Sequence, residues 1–236
     1  MVVSWFSCGV SSAVATKIAL SKYPDLKIIY THIEDQHPDT MRFLHDCEKW
    51  FDHEIEILQS DLRSVENACM KAGFVNSPYG APCTRILKKH VRIEWEVVHP
   101  ETHTYVWGYD VEEKRRADRI DLSMKPQISY FPLIEHELKK ADVHGMLEKA
   151  GINRPAMYDL GYPNNNCIGC VKGGMGYWNK IRKDFPDVFE SRCKIEENIG
   201  GRVFKEFSLR DLPENRGRME IVVPDCGIFC EIPNDN

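Results

Sequence analysis

Two short stretches of the sequence hold residue types whose spacing can do chemistry. The first is Phe6-Ser7-Cys8-Gly9-Val10-Ser11-Ser12. Ser7, Ser11 and Ser12 supply hydroxyl donors, and Gly9 lets the backbone approach an anion closely. An apolar run precedes the segment and a helical pattern follows it. Its amides therefore stand at a helix start, where unpaired N–H groups and the positive end of the helix dipole favour a phosphate. An ordinary strand-to-helix turn with a serine cap at Ser11 or Ser12 gives the same spacing without a ligand. The second stretch is Cys167-Ile168-Gly169-Cys170, in a loop rich in glycine and asparagine. Two thiolates so spaced can reach one centre. They can form a redox pair, half of a zinc site or part of an iron–sulfur site, or they can be two unrelated thiols. A thioredoxin-type motif fits poorly, because no strand leads into a helix at this point.

The elements that must position these groups alternate. Val2, Val3, Trp5 and Phe6 read as a strand, and a helix follows from Ser12 until Tyr23-Pro24-Asp25 ends it. Residues 27–32 are β-branched and aromatic and read as the next strand. Residues 38–51 read as a helix with Pro38 and Asp39 in its first turn. Residues 54–58 alternate like a strand, 63–72 and 86–96 read as helices, and 104–108 is a strand ending at glycine. This order predicts an α/β fold, a doubly wound and mostly parallel sheet covered on both faces. Ligands of such sheets bind at the carboxyl ends of the strands. Residues 7–12, 32–38 and 108–116 lie at those ends, so three polar segments are expected to meet in one crevice. Within the last of them, Lys114-Arg115-Arg116 is either a solvated loop or an oxyanion clamp, for which arginine forks are suited. From about Ala141 helices and loops dominate. Domains are therefore expected at 1–140, binding the nucleotide, and at 141–236, a helical, cysteine-rich extension.

The chain has 236 residues, 42% of them hydrophobic and 28% charged, which places it among ordinary globular proteins. A net charge of −5 gives no global basic field of the kind that drives nonspecific nucleic-acid binding. No stretch approaches the roughly 20 apolar residues of a membrane span. The N-terminus lacks a charged start followed by an apolar core, so no signal peptide and a cytoplasmic location are expected. The cysteines number nine, an odd count, and in a reducing compartment they read as buried thiols, metal ligands or reactive groups.

The segment from Ser7 to Ser12 resembles the SGGxDS loop of the PP-loop superfamily, the adenine-nucleotide α-hydrolases. Cys8 stands in place of a glycine and Ser11 in place of the aspartate, which disfavours ATP hydrolysis. Residues 32–43 are similar to the "DTG…PET-x-RF" segment of the phosphoadenosine-phosphosulfate reductase family, with Pro38, Thr40, Arg42 and Phe43 matching. Residues 108–117 are similar to its "GxRxxES-x-x-RA" segment through Glu113, Arg116 and Ala117, with Asp110 where arginine is expected. Phe131-Pro132-Leu133-Ile134 with Asp142-Val143 is similar to its "PL…W…DV" segment.

The resemblance implies that Ser7, Gly9, Ser11, Ser12, Glu113 and Arg116 bind an adenine nucleotide, either a sulfonucleotide or ATP–Mg. Cys83 lies in a segment similar to the "CC-x-x-R-K" of iron–sulfur sulfonucleotide reductases, with Pro82 in place of the first cysteine. That likeness implies Cys83, Cys167 and Cys170 as ligands of a [4Fe–4S] cluster, with zinc as the alternative. Cys230 is the expected fourth ligand and Cys193 its competitor. Asp225-Cys226-Gly227-Ile228 resembles the reductases' "ECGLH", which implies Cys226 as the nucleophile, with Phe229 in place of the histidine. The expected function is thiol attack on adenylyl sulfate or phosphoadenylyl sulfate, after which a thiol carrier protein frees sulfite. The alternatives are an ATP-dependent adenylating sulfurtransferase acting on a nucleic acid or small molecule, and a non-catalytic nucleotide-binding module.

Overall fold

The computed structural model describes residues 1–218. Strands β1 (Val2–Phe6), β2 (Lys27–His32), β3 (Ile55–Gln59), β4 (Thr104–Val106) and β5 (Ile128–Tyr130) form one sheet in the order β3-β2-β1-β4-β5. β1 pairs in parallel with β2 and with β4, and β4 pairs in parallel with β5. The chain builds outward from β1 to β3 on one side, then returns to β4 and builds outward on the other. The order therefore reverses between β1 and β4, which is where ligands of open α/β sheets bind. The doubly wound sheet expected from the sequence is present, with β5 as an additional edge strand.

The helices are α1 (Val10–Lys22), α2 (Asp39–Phe51), α3 (Val65–Ala72), α4 (Pro82–Thr84), α5 (His90–Val98), α6 (Lys114–Ser123), α7 (Pro132–Glu135), α8 (Lys140–Lys149), α9 (Ala156–Asp159), α10 (Met175–Asp184) and α11 (Pro186–Ile199). A π-helical turn over Arg85–Lys89 joins α4 to α5. By internal contacts the chain divides into two units. One comprises Met1–Thr31, Pro38–Leu58 and Glu94–Leu160; the other comprises His32–His37, Gln59–Ile93 and the described residues from Gly161 on.

In the first unit the core forms where α1 lies on the sheet. Val10, Ala13, Val14, Ala15, Ala19 and Leu20 are buried against Phe6, Ile28, Tyr30 and Val106. The alanines let the helix sit close, and each fully buried Val or Leu contributes about 1.5–3 kcal/mol. Ser4 and Thr16 share a buried hydrogen bond of 2.7 Å, which satisfies the two hydroxyls and fixes the helix register on β1. Tyr23 precedes Pro24 and leaves the helical region, so α1 stops there. Tyr130 of β5 lies under the Lys22 ammonium, 4.5 Å from its ring centroid.

In the second unit α10 and α11 pack around Trp178, which is fully buried. Buried polar side chains hold the following chain to these helices. Glu196 accepts from the amides of Val203 and Leu209, at 2.6 Å each. Asn179 donates to the carbonyls of Pro213 and Arg216. Among the described residues no helix is long and apolar enough to cross a membrane.

Candidate functional site

The chain leaves β1 through Ser7 and Cys8 and enters α1 at Gly9. Cys8 adopts a left-handed backbone with φ 56°, whereas Gly9 is extended, with φ −98° and ψ 160°. The position that needs glycine-like freedom is therefore Cys8, where the PP-loop pattern has a glycine. An L-residue held there costs roughly 1–2 kcal/mol. The Cys8 side chain is fully buried, and burial, with Cys47 and Glu48 adding to it, pushes its thiol well above the ordinary range. It packs in the core of the first unit.

The serine cap that would explain the loop without a ligand does not form. Gly9 is the N-cap and no serine hydroxyl caps α1. Ser12 Oγ instead donates to the Gly9 carbonyl at 2.9 Å and accepts from Ser7 Oγ at 2.9 Å and from the Ser7 amide at 3.2 Å. These bonds brace the turn from inside and leave α1's first-turn amides to partners outside the loop. One such partner is the Tyr158 hydroxyl, which accepts from the Val10 amide at 3.4 Å.

The end of β4 closes on the same loop. A Cβ carbon on Gly108 would stand 2.7 Å from both Cα and N of Ser12 and 3.0 Å from the Ser11 carbonyl carbon. Only a glycine fits. Beyond it Asp110 is buried and accepts from the Glu112 amide at 2.9 Å, starting the 3-10 turn Val111–Glu113. Its carboxylate stands where the family pattern has arginine, and here it is a turn cap. Glu113 and Arg116 pair with each other, and the Arg116 guanidinium lies 5.0 Å from the centroid of the Tyr109 ring. Trp107 is buried edge-on to Tyr105, a core position. The structure thus brings residues 7–12 together with Gly108, and sets Glu113 and Arg116 one helical turn apart.

The cysteine loop belongs to the second unit. Gly169 takes φ 70°, and a Cβ there would stand 2.8 Å from Val188 on α11. The buried Tyr177 hydroxyl donates to the Cys167 carbonyl at 3.1 Å and accepts from the Cys170 amide at 2.9 Å, stapling both ends of the motif. Arg192 of α11 donates to the Gly169 carbonyl at 3.3 Å and forms a nearly buried ion pair with Asp35. The Asp35 carboxylate also accepts from the Val65 amide at 2.6 Å, and the Asp35 carbonyl accepts from the Ile168 amide at 2.8 Å. Nothing in the spacing of residues 157 positions apart announces this clamp.

Cys167 and Cys170 are buried; Cys83, on α4, is partly exposed. Burial holds the Cys69 and Cys193 thiols up at about 11 each. Among the described residues no three His, Cys, Asp or Glu side chains are gathered as a metal site. Cys83, Cys167 and Cys170 are not gathered as such a group. Cys226 and Cys230 lie outside the described residues.

Residues 1–173 match the model of the phosphoadenosine phosphosulfate reductase domain. The chain belongs to that family. Among solved structures it is similar to phosphoadenylyl-sulfate (PAPS) reductase from Candida auris in a phosphate complex, with a TM-score of 0.51 and 13% identity, covering 71% of this chain and 81% of that one. At that identity the likeness establishes the shared fold. No curated protein matches the sequence.

Proposed function

We propose that the protein binds an adenine sulfonucleotide on the loop Ser7–Ser12 and reduces it, releasing sulfite. The observation that carries this reading is the bracing of that loop where the strand order reverses, with Gly108 pressed on Ser12 and no serine cap on α1. Family membership supplies the class of substrate. The phosphate end of the nucleotide meets the first-turn amides of α1, where the helix dipole adds to the hydrogen bonds. Arg116, already oriented by Glu113, is the cation for the sulfate or a second phosphate.

The nucleophile in this reading is the Cys226 thiolate. Cys8, Cys47, Cys69 and Cys193 are poor candidates, because burial raises each thiol above its ordinary value and holds it protonated at neutral pH. Cys226 Sγ attacks the sulfate sulfur. An S–S bond forms, the bond from sulfur to the bridging oxygen breaks, and the nucleoside phosphate leaves with that electron pair. A dithiol carrier then attacks Sγ, sulfite departs with the S–S electron pair, and the carrier's second thiol resolves the mixed disulfide. The carrier ends as a disulfide, having supplied two electrons.

Thermal unfolding with adenylyl sulfate, phosphoadenylyl sulfate and ATP–Mg tests the binding step. A ligand at a hundred times its dissociation constant stabilises the fold by about 2.7 kcal/mol. Stabilisation by a sulfonucleotide and not by ATP–Mg is the expected result. Stabilisation by ATP–Mg alone would replace sulfonucleotide reduction with adenylation.

A further inference from the structure

The Tyr158 hydroxyl stands at the mouth of the phosphate loop, although 148 residues separate it from Val10. Its oxygen accepts from the first-turn amide of α1, and a Cβ carbon on Gly9 would stand 3.5 Å from it. This placement is built by conspicuous means. Tyr158 lies on α9, a helix of four residues that could not hold itself in position. The Asp39 carboxylate at the start of α2 accepts from the Ala156 amide at 2.8 Å, the first residue of α9. Arg42, one turn on, donates to the carbonyls of Asn153 and Arg154 at 2.9 and 3.0 Å. Asp39 and Asp46 in turn hold the Arg42 guanidinium by two bonds of 2.7 Å and one of 2.9 Å. The N-terminal turn of α2 is therefore a clasp whose product is the position of the tyrosine.

His144 of α8 meets the Tyr158 ring edge-on, with centroids 5.0 Å apart. Lys140 and Arg154 both lie within electrostatic reach of that imidazole. Arg154 is paired with Asp159 at 2.7 Å.

We infer that Tyr158 is a ligand-binding residue of the phosphate loop, its hydroxyl donating to an oxygen of the nucleotide's phosphoryl or phosphosulfate group while its oxygen stays anchored on the Val10 amide. This rests on the nucleotide reading of the same loop. A phenolic hydroxyl accepts and donates at once. Accepting from the amide fixes the oxygen where the helix dipole already favours an anion, and rotation about the C–O bond carries the proton to that anion. The residue so placed extends the cradle from the loop's own amides and serines to a side chain from the far end of the unit.

The test is isothermal titration of the full chain and of Tyr158→Phe with adenylyl sulfate and with adenosine. The phenylalanine keeps the ring against His144 and removes only the hydroxyl. A hydrogen bond to a charged group is worth enough that adenylyl sulfate affinity should fall by about tenfold or more. Adenosine, which lacks the phosphate, should bind both proteins alike. Equal weakening toward both ligands would make the residue a structural support and overturn the inference. Unchanged affinity would overturn it too, and tighter affinity in the variant would mean that the hydroxyl competes with the anion for the Val10 amide. If the unaltered protein binds no sulfonucleotide, the nucleotide reading fails and this inference with it. If it binds one and the variant matches it, only the role of Tyr158 falls.

Discussion

Gly108 lies so close to Ser12 that a single added carbon on it would stand 2.7 Å from the serine Cα. The contact joins the end of β4 to the first turn of α1, across the point where the strand order reverses. Both neighbours are backbone, so the methyl group of Gly108→Ala can be admitted only by moving the loop. We expect Gly108→Ala to lose about 1–3 kcal/mol of stability, as overpacked sites do, and to lose nucleotide binding out of proportion to that. Urea unfolding and titration with adenylyl sulfate on the same preparation measure the two effects. An alanine variant that binds normally would show that the close approach does not shape the loop.

Arg192 and Asp35 form an ion pair whose side chains are 5% and 12% exposed, and the arginine also holds the carbonyl of Gly169. Removing one partner leaves the other charge buried. Arg192→Met should therefore cost about 3–5 kcal/mol, while Asp35→Asn combined with Arg192→Met should cost less than the single change. Urea midpoints of the three proteins decide it. A cost under about 1 kcal/mol for Arg192→Met would mean the clamp is dispensable.

Much of this fold is legible in the residues. The five elements from β1 to β3 were expected at their observed places because each is long enough to show its period and ends at a proline, a glycine or a polar turn. β5 was not expected: three residues, Ile128, Ser129 and Tyr130, cannot display alternation, and only the backbone of β4 makes them a strand. Residues 86–96 read as one helix, yet its first turn is π-helical, a difference of hydrogen-bond register that side-chain spacing does not encode. The loop of residues 7–12 was visible as a turn with hydroxyls, but the left-handed residue is Cys8 rather than Gly9. The substitution of a family glycine at that position was the available signal. Tyr158, Asp35 and Arg192 were missed because their partners lie far along the chain, where no local pattern reaches. Arg42 and Phe43 were marked by the family likeness, and the structure gives the arginine its task in clasping residues 153 and 154.

The histidines give the protein an acid-sensitive edge. Burial, with Lys140 and Arg154 adding to it, holds His144 below 6.5; burial, opposed by Glu34, does the same for His32. The unfolded chain therefore binds these protons first as pH falls. Their contribution to stability is full above 6.5 and is lost as pH drops through the folded values. Urea midpoints should fall between about pH 7 and about pH 5, and His144→Gln should flatten the decline. An identical slope in the variant would remove His144 from this role.

Thiol reactivity should follow burial. Cys69 and Cys193 sit at about 11, Cys8 and Cys47 are raised as well, and Cys83 is only partly covered. Brief iodoacetamide treatment of the native protein, read by peptide mass spectrometry, should modify Cys83 before any of those four. Early modification of Cys8 would mean that the loop of residues 7–12 opens.

The most direct measurement of the central claim is a single turnover. The protein, in molar excess over adenylyl sulfate or phosphoadenylyl sulfate, is mixed with the nucleotide and dithiothreitol, and sulfite and nucleoside phosphate are quantified together. Equal amounts of the two products, with none from Cys226→Ser, is the predicted result. Tight nucleotide binding without sulfite, or sulfite undiminished in Cys226→Ser, would contradict it.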